Sequence, residues 1–99
     1  MIRHIAMFRW RPDVSSSDVA RVEDALRKLR SELTGLRDYR FGRDVGLVDG
    51  NWDFAVVADL HDEPAFRRYV SNAEHQRIIS QLIAPMRGER AAVQLLLPE

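Results

Sequence analysis

The stretch Ile2 to Trp10, "IRHIAMFRW", alternates with a period of two residues and is nevertheless apolar on both faces. Ile2, His4, Ala6, Phe8 and Trp10 share one face, while Arg3, Ile5, Met7 and Arg9 share the other, with Ile5 and Met7 at its centre. Such a strand fits the middle of a sheet covered on both sides. The chain has 99 residues, enough for one domain (residues 1–99) whose core is marginal alone, so a partner would help to cover the second side.

The remaining patterning sets the element order. Ser15 stands three residues ahead of Asp18, a capping-box start, and Val19, Val22, Leu26, Leu29 and Leu33 then draw one apolar helical stripe. Gly35 supplies a stop. The runs "LRDYRFGRDVG" and "LVDGNWDFAVVADL" read as two strands of a hairpin, turning at Asp49, Gly50 and Asn51. "HDEPAF" opens a second helical segment, with Pro64 tolerated near its start and apolar positions continuing through Ile83. A turn near Pro85 to Gly88 leads into a last strand, "RAAVQLLLP".

The order βαββαβ predicts an α+β, ferredoxin-like fold: a four-stranded antiparallel sheet with the helices on one face. The other face then presents Ile5, Met7, Ala55 and Val57, a larger apolar patch than a soluble monomer usually shows to water. A homodimer with facing sheets, closed as an α/β barrel, is the expectation. The alternative is a monomer whose sheet is covered by a loop.

Charge narrows the partners. Lys+Arg and Asp+Glu balance at 15 each, so no positive field gathers phosphate backbones and nucleic acid is not expected. No apolar run approaches the roughly 20 residues of a membrane span. The start of the chain reads as a strand rather than a signal peptide, and a cytoplasmic protein is expected. Cysteine is absent, which removes disulfides and thiolate chemistry. The three histidines lack metal-ligand spacing and the glycines match no nucleotide fingerprint, so neither metal nor cofactor is expected.

The segment "RYVSNAEHQRI" holds the candidate chemistry. On one unbroken helix Tyr69 and His75 would lie roughly 240° apart and face different ways. A break near Ser71 and Asn72 changes this, because Asn72 then serves as N-cap of a second piece with His75 in its first turn. The positive helix end there favours neutral imidazole, the form that accepts a proton. His75 as general base, Tyr69 as donor to a developing oxyanion and His4 as an orienting group in an apolar pocket form the catalytic reading. The structural reading makes the same residues satisfied members of the core. Arg67, Arg68, Arg87 and Arg90 are expected as a solvated or interface surface, with an acidic-ligand site as the lesser alternative.

Taken together, "MIRHIAMFRW", "FGRDVGLVDGNWDFAVVADL" and "FRRYVSNAEHQRI" resemble the stress-responsive dimeric α/β-barrel (Dabb) family over essentially the whole chain. The resemblance implies a ferredoxin-like protomer and a dimer with facing sheets. It also implies a distant similarity to the plant olivetolic acid cyclase, a cofactor-free enzyme of aldol type in which residues matching His75, Tyr69 and His4 are the base, its assistant and a pocket histidine. Two further pocket positions of that cyclase, a tyrosine and a histidine, correspond here to Leu26 and Phe54. A smaller or more apolar ligand, such as a hydrophobic carbonyl or aromatic compound, follows from those departures. Three readings are carried forward: cofactor-free cyclase or lyase chemistry on a polyketide-like carbonyl; a non-catalytic, stress-associated or hydrophobic-ligand-binding module; and, less favoured, monooxygenase or haem chemistry of neighbouring barrels.

Overall fold

The computed structural model describes residues 1–98, and the helical layer holds more pieces than the periodicity shows. The elements are β1 (Ile2–Trp10), α1 (Ser16–Glu32), β2 (Leu36–Arg43), β3 (Phe54–Leu60), α2 (Glu63–Ser71), α3 (Ala73–Ile78), a π-helical turn (Ile79–Ile83) and β4 (Arg87–Leu96). The four strands form one antiparallel sheet in the order β2-β3-β1-β4. The fold is ferredoxin-like, and the doubly apolar β1 takes one of the two central places.

Register assigns the faces. His4 pairs with Ala58 and Gln94, Ala6 with Val56 and Ala92, and Phe8 with Phe54 and Arg90, all on the side toward the helices. Ile5 pairs with Val57 and Val93, and Met7 with Ala55 and Ala91, on the other side. The first side carries the core: Val19, Val22, Leu26 and Leu29 of α1 are buried with Ala6, Phe8, Phe54 and Val56. Full burial of one such aliphatic side chain contributes roughly 1.5–3 kcal/mol, so the α1 stripe is a main fastening of helix to sheet. On the far side Val93 and Leu95 remain 49% and 43% exposed.

α1 starts as its sequence dictates. The Asp18 N–H donates to Ser15 Oγ at 3.1 Å, and the Ser15 N–H donates to the Asp18 carboxylate at 2.9 Å. The helix ends earlier than Leu33 and Gly35 imply: its last residue is Glu32, and Leu33 already has extended backbone. Gly35 works one step later, at φ 76°, steering the chain into β2 beside Ala65.

The hairpin is looser than expected. Its strands are joined by residues 44–53, and the run from Leu47 to Asp53 that reads as strand is loop. Asp44 holds this loop instead of a ladder, accepting from the Gly46 N–H and the Asn51 side-chain amide at 3.0 Å each. Leu47 and Val48, 84% and 65% exposed, find no apolar surface in the protomer, so hydrophobic patterning there misleads. β4 also begins at Arg87, inside the expected turn. Among the described residues no helix is long and apolar enough to cross a membrane.

Gly35 and Gly46 provide a matched pair of tests. Both have positive φ, but a Cβ at Gly35 would lie 3.0 Å from that of Ala65, whereas none would meet anything within 4 Å at Gly46. In urea unfolding, Gly46→Ala should lose about 1–2 kcal/mol through backbone strain alone, and Gly35→Ala about 1–3 kcal/mol more through overpacking. Equal losses would show that the Ala65 contact yields freely.

Candidate functional site

α2 is set in place by its ends. The Asp62 carboxylate accepts from the Ala65 N–H at 2.9 Å as N-cap, with Pro64 in the first turn where its missing N–H costs nothing. Ala65 and Tyr69, one turn apart, face the sheet and are buried. At Asn72 the backbone (φ −56°, ψ 129°) leaves the helix, and its N–H donates to the Tyr69 carbonyl. The Asn72 side-chain oxygen then accepts from the His75 N–H at 3.0 Å and starts α3. One residue thus closes one helix and opens the next. The rings of Tyr69 and His75, which an unbroken helix would send apart, lie 4.2 Å centre to centre with their planes inclined by 34°.

The same break sets the imidazole tautomer. An unbroken helix would commit the Val70 carbonyl to the N–H four residues on. Here it accepts from the Gln76 side-chain amide and lies 3.4 Å from His75 Nδ1. With the ring proton on Nδ1 and directed at Val70, the His75 Nε2 keeps its lone pair. His4 is held the other way round: the Gln94 side-chain N–H donates to His4 Nδ1 at 2.9 Å, leaving the proton on Nε2. Burial pushes the His4 imidazole down to about 4, helped by the charges of Arg90 and His75. Burial also holds His75 below the usual histidine range, with the Val70 carbonyl opposing the shift and Arg90 adding to it. Both rings are therefore neutral near pH 7.

Tyr69 does not bond to His75 through its hydroxyl. It pairs with the Tyr39 hydroxyl at 3.0 Å. Burial raises the pKa of both phenols, and for Tyr69 the Tyr39 partner raises it further, so each stays protonated. One O–H is spent within the pair and the other remains to donate onward. These groups border a cavity of about 290 Å³ between the sheet and the α2–α3 layer, with Arg87, Arg90 and Gln94 of β4 at its rim.

His4, Tyr69, His75 and Leu26 all line this cavity. Phe54 does not. It is buried in the core with its ring packed 5.6 Å from that of Trp10, outside the cavity, and Phe8, its partner across the sheet, takes the lining position at that level. The expected space shared by Tyr69 and His75 is a ring contact rather than a hydroxyl-to-nitrogen bond. Sequence reasoning missed Tyr39. Alternation along β2 was the available signal, since Tyr39 sits opposite the small Ala58, which leaves room for a phenol. Among the described residues no three His, Asp or Glu side chains group as metal ligands.

Comparison with known proteins agrees with the fold. The family model described as Stress responsive A/B Barrel Domain matches residues 2–95. No curated protein matches the chain. Among solved structures, a dimeric ferredoxin-like protein of unknown function from Thermobifida fusca is 48% identical, covering 97% of this chain and 90% of its own, with a TM-score of 0.91. A Dabb family protein from Mesorhizobium loti is 18% identical over 99% of this chain and 97% of its own, TM-score 0.79. A hydroxynitrile lyase from Passiflora edulis is 14% identical over 99% and 94%, TM-score 0.83; like the preceding likeness, this concerns the fold alone.

Two measurements follow from this arrangement. Asn72→Ala removes the α3 cap and should cost about 0.5–2 kcal/mol in urea unfolding, with the His75 ring resonances displaced in NMR; unmoved resonances would show that Asn72 does not position the ring. The second concerns pH. The folded pKa of His4 is lowered from 6.5 to about 4, so the unfolded chain binds the proton first. Its stabilising contribution is complete above about pH 6.5, is lost as pH falls toward 4, and changes little below that. The melting temperature should decline across this window, and less steeply in His4→Gln.

Proposed function

Because the chain belongs to the Stress responsive A/B Barrel Domain (Dabb) family, we propose that residues 1–99 act as one such domain in the cytoplasm. In this reading the domain performs cofactor-free proton transfer on a small, apolar, polyketide-like carbonyl compound bound in the cavity beneath α2 and α3. The reaction is of cyclase or lyase type. One observation carries the reading: a buried, neutral imidazole, tied at Nδ1 to the Val70 carbonyl, borders the same cavity as a protonated phenol pair. His75 Nε2 takes the proton from the carbon next to the carbonyl. Tyr69 donates to the enolate oxygen that forms, and Tyr39 supports it by donating to Tyr69 as charge develops. His4, oriented by Gln94, positions the bound molecule from the sheet side. At the end of the step His75 returns its proton to carbon or to a leaving group.

The test requires no knowledge of the natural substrate. In D2O, 2-heptanone should gain α-deuterium faster with the protein than in buffer, as read by proton NMR. His75→Ala should lose about 100-fold or more of that rate, and Tyr69→Phe a smaller part, with a lower melting temperature in the second because the buried Tyr39 hydroxyl loses its partner. Absence of any rate above buffer removes the base assignment. A binding role without turnover has its own support, since among the described residues every buried side-chain nitrogen and oxygen already has a partner. Saturable binding of 2-heptanone without deuteration would favour that role.

The proposal includes a homodimer with facing sheets. Ile5, Met7, Val57, Val93 and Leu95 form an apolar field on the face away from the helices. Arg3 and Asp59 on that face already neutralise one another through paired bonds of 2.8 and 2.9 Å, so no bare charge opposes association. The 48% identical Thermobifida protein is described as dimeric. Val93→Glu should convert a dimer into a monomer in light scattering coupled to size exclusion, without unfolding it; a monomeric parent would refute the association.

A further inference from the structure

β4 is the strand that the helices leave open. Arg90, Ala92, Gln94 and Leu96 share its helix-facing side, and all four are exposed. Arg87 and Arg90 border the cavity there, with Gln94 alongside and already engaged with His4. Many arginines of this chain have a carboxylate to hand, as Arg3 has Asp59, Arg43 has Glu23 and Arg77 has Glu74. Among the described residues, Arg87 and Arg90 have none within ion-pair reach.

Two uncompensated guanidinium groups at the rim of a ring-lined hollow make an amphipathic site. The interior, with Ala6, Phe66 and Val70 among its walls, takes an apolar body. The rim takes an anion, and a guanidinium fork matches the two oxygens of a carboxylate. The first turn of α3 borders the cavity, but the His75 N–H is already taken by the Asn72 side-chain oxygen, so it does not offer a phosphate cradle. The charge is felt inside: Arg90 lowers the pKa of His4, His75 and Tyr69.

We propose that the ligands of this cavity are apolar carboxylic acids, with the carboxylate held by Arg90, Arg87 beside it, and the hydrocarbon end lying under Tyr69 and His75. For the proton-transfer reading, on which the inference rests, the substrate class becomes an oxo acid whose carbonyl sits further in than its carboxylate. Arg90 is then a specificity-determining residue rather than surface. Arg90 lies on the helix side of the sheet, away from the face through which the dimer is proposed to form.

The test compares hexanoate with the isosteric, uncharged hexanamide, titrated into the intact protein at pH 7 and followed by calorimetry and the His4 and His75 ring resonances. Hexanoate should bind about tenfold more tightly than hexanamide. That preference should fall to near unity in Arg90→Gln, whose melting temperature should match the parent because the side chain is exposed. In the unmutated protein, raising KCl should weaken hexanoate and leave hexanamide unchanged, a reading that survives if the variant misfolds. Equal affinities in the parent, no binding of either compound, or a preference that persists in both Arg90→Gln and Arg87→Gln would overturn the proposal. These are affinities, so a failed deuteration experiment leaves them intact, and their failure leaves His75 as base untouched.

Discussion

Asn72 interrupts the helical layer, and the candidate site depends on that interruption. Its backbone closes α2 while its side chain opens α3, so the chain changes direction without leaving a helix end unsatisfied. The change removes the helical phase that would keep Tyr69 and His75 apart, and it releases the Val70 carbonyl to hold the imidazole. A cap contributes only about 1 kcal/mol. Its importance here is geometric, because it decides which side chains share a cavity.

A second constraint comes from the sheet. Its helical cover extends over β1, β2 and β3 but not over the β4 edge, where residues on the helix-facing side stay exposed. The cavity opens along that edge, with polar and charged groups at its rim and rings within. Desolvation then does the electrostatic work. An imidazole buried there resists protonation and a phenol resists ionisation, so one fold supplies an acceptor and a donor at the same pH. The outer face, with Ile5, Met7, Val57 and Val93 at its centre, is not covered by the helices, which lie on the opposite side.

Much of the framework was legible in the sequence. The Ser15–Asp18 capping box, the α1 stripe as far as Leu29, Pro64 at the start of α2, and the break at Asn72 are all local signals, and the structure places them where they were read. Legibility failed where the deciding contact was distant or absent. The loop from Asp44 to Asp53 carries strand-like apolar residues, yet it is held by the carboxylate of Asp44 and the amide of Asn51. Phe54 corresponds by resemblance to a pocket position, but packing against Trp10 takes it into the core. Tyr39 carried no motif and became visible only when the register put it across from Ala58 and under Tyr69.

By itself the sequence determined the order of elements, the faces of β1, the position of the helix break and membership of the family, because each rests on periodicity, caps or residue identity along a continuous stretch. Only the tertiary structure decided that the Tyr69 ring meets that of His75 while its hydroxyl bonds Tyr39, which nitrogen of each histidine keeps its lone pair, and that Arg87 and Arg90 edge the cavity. Those outcomes depend on side chains from five separate elements, β1, β2, α2, α3 and β4, converging on one cavity. Sequence spacing encodes direction along one strand or helix, but not the distance between two of them.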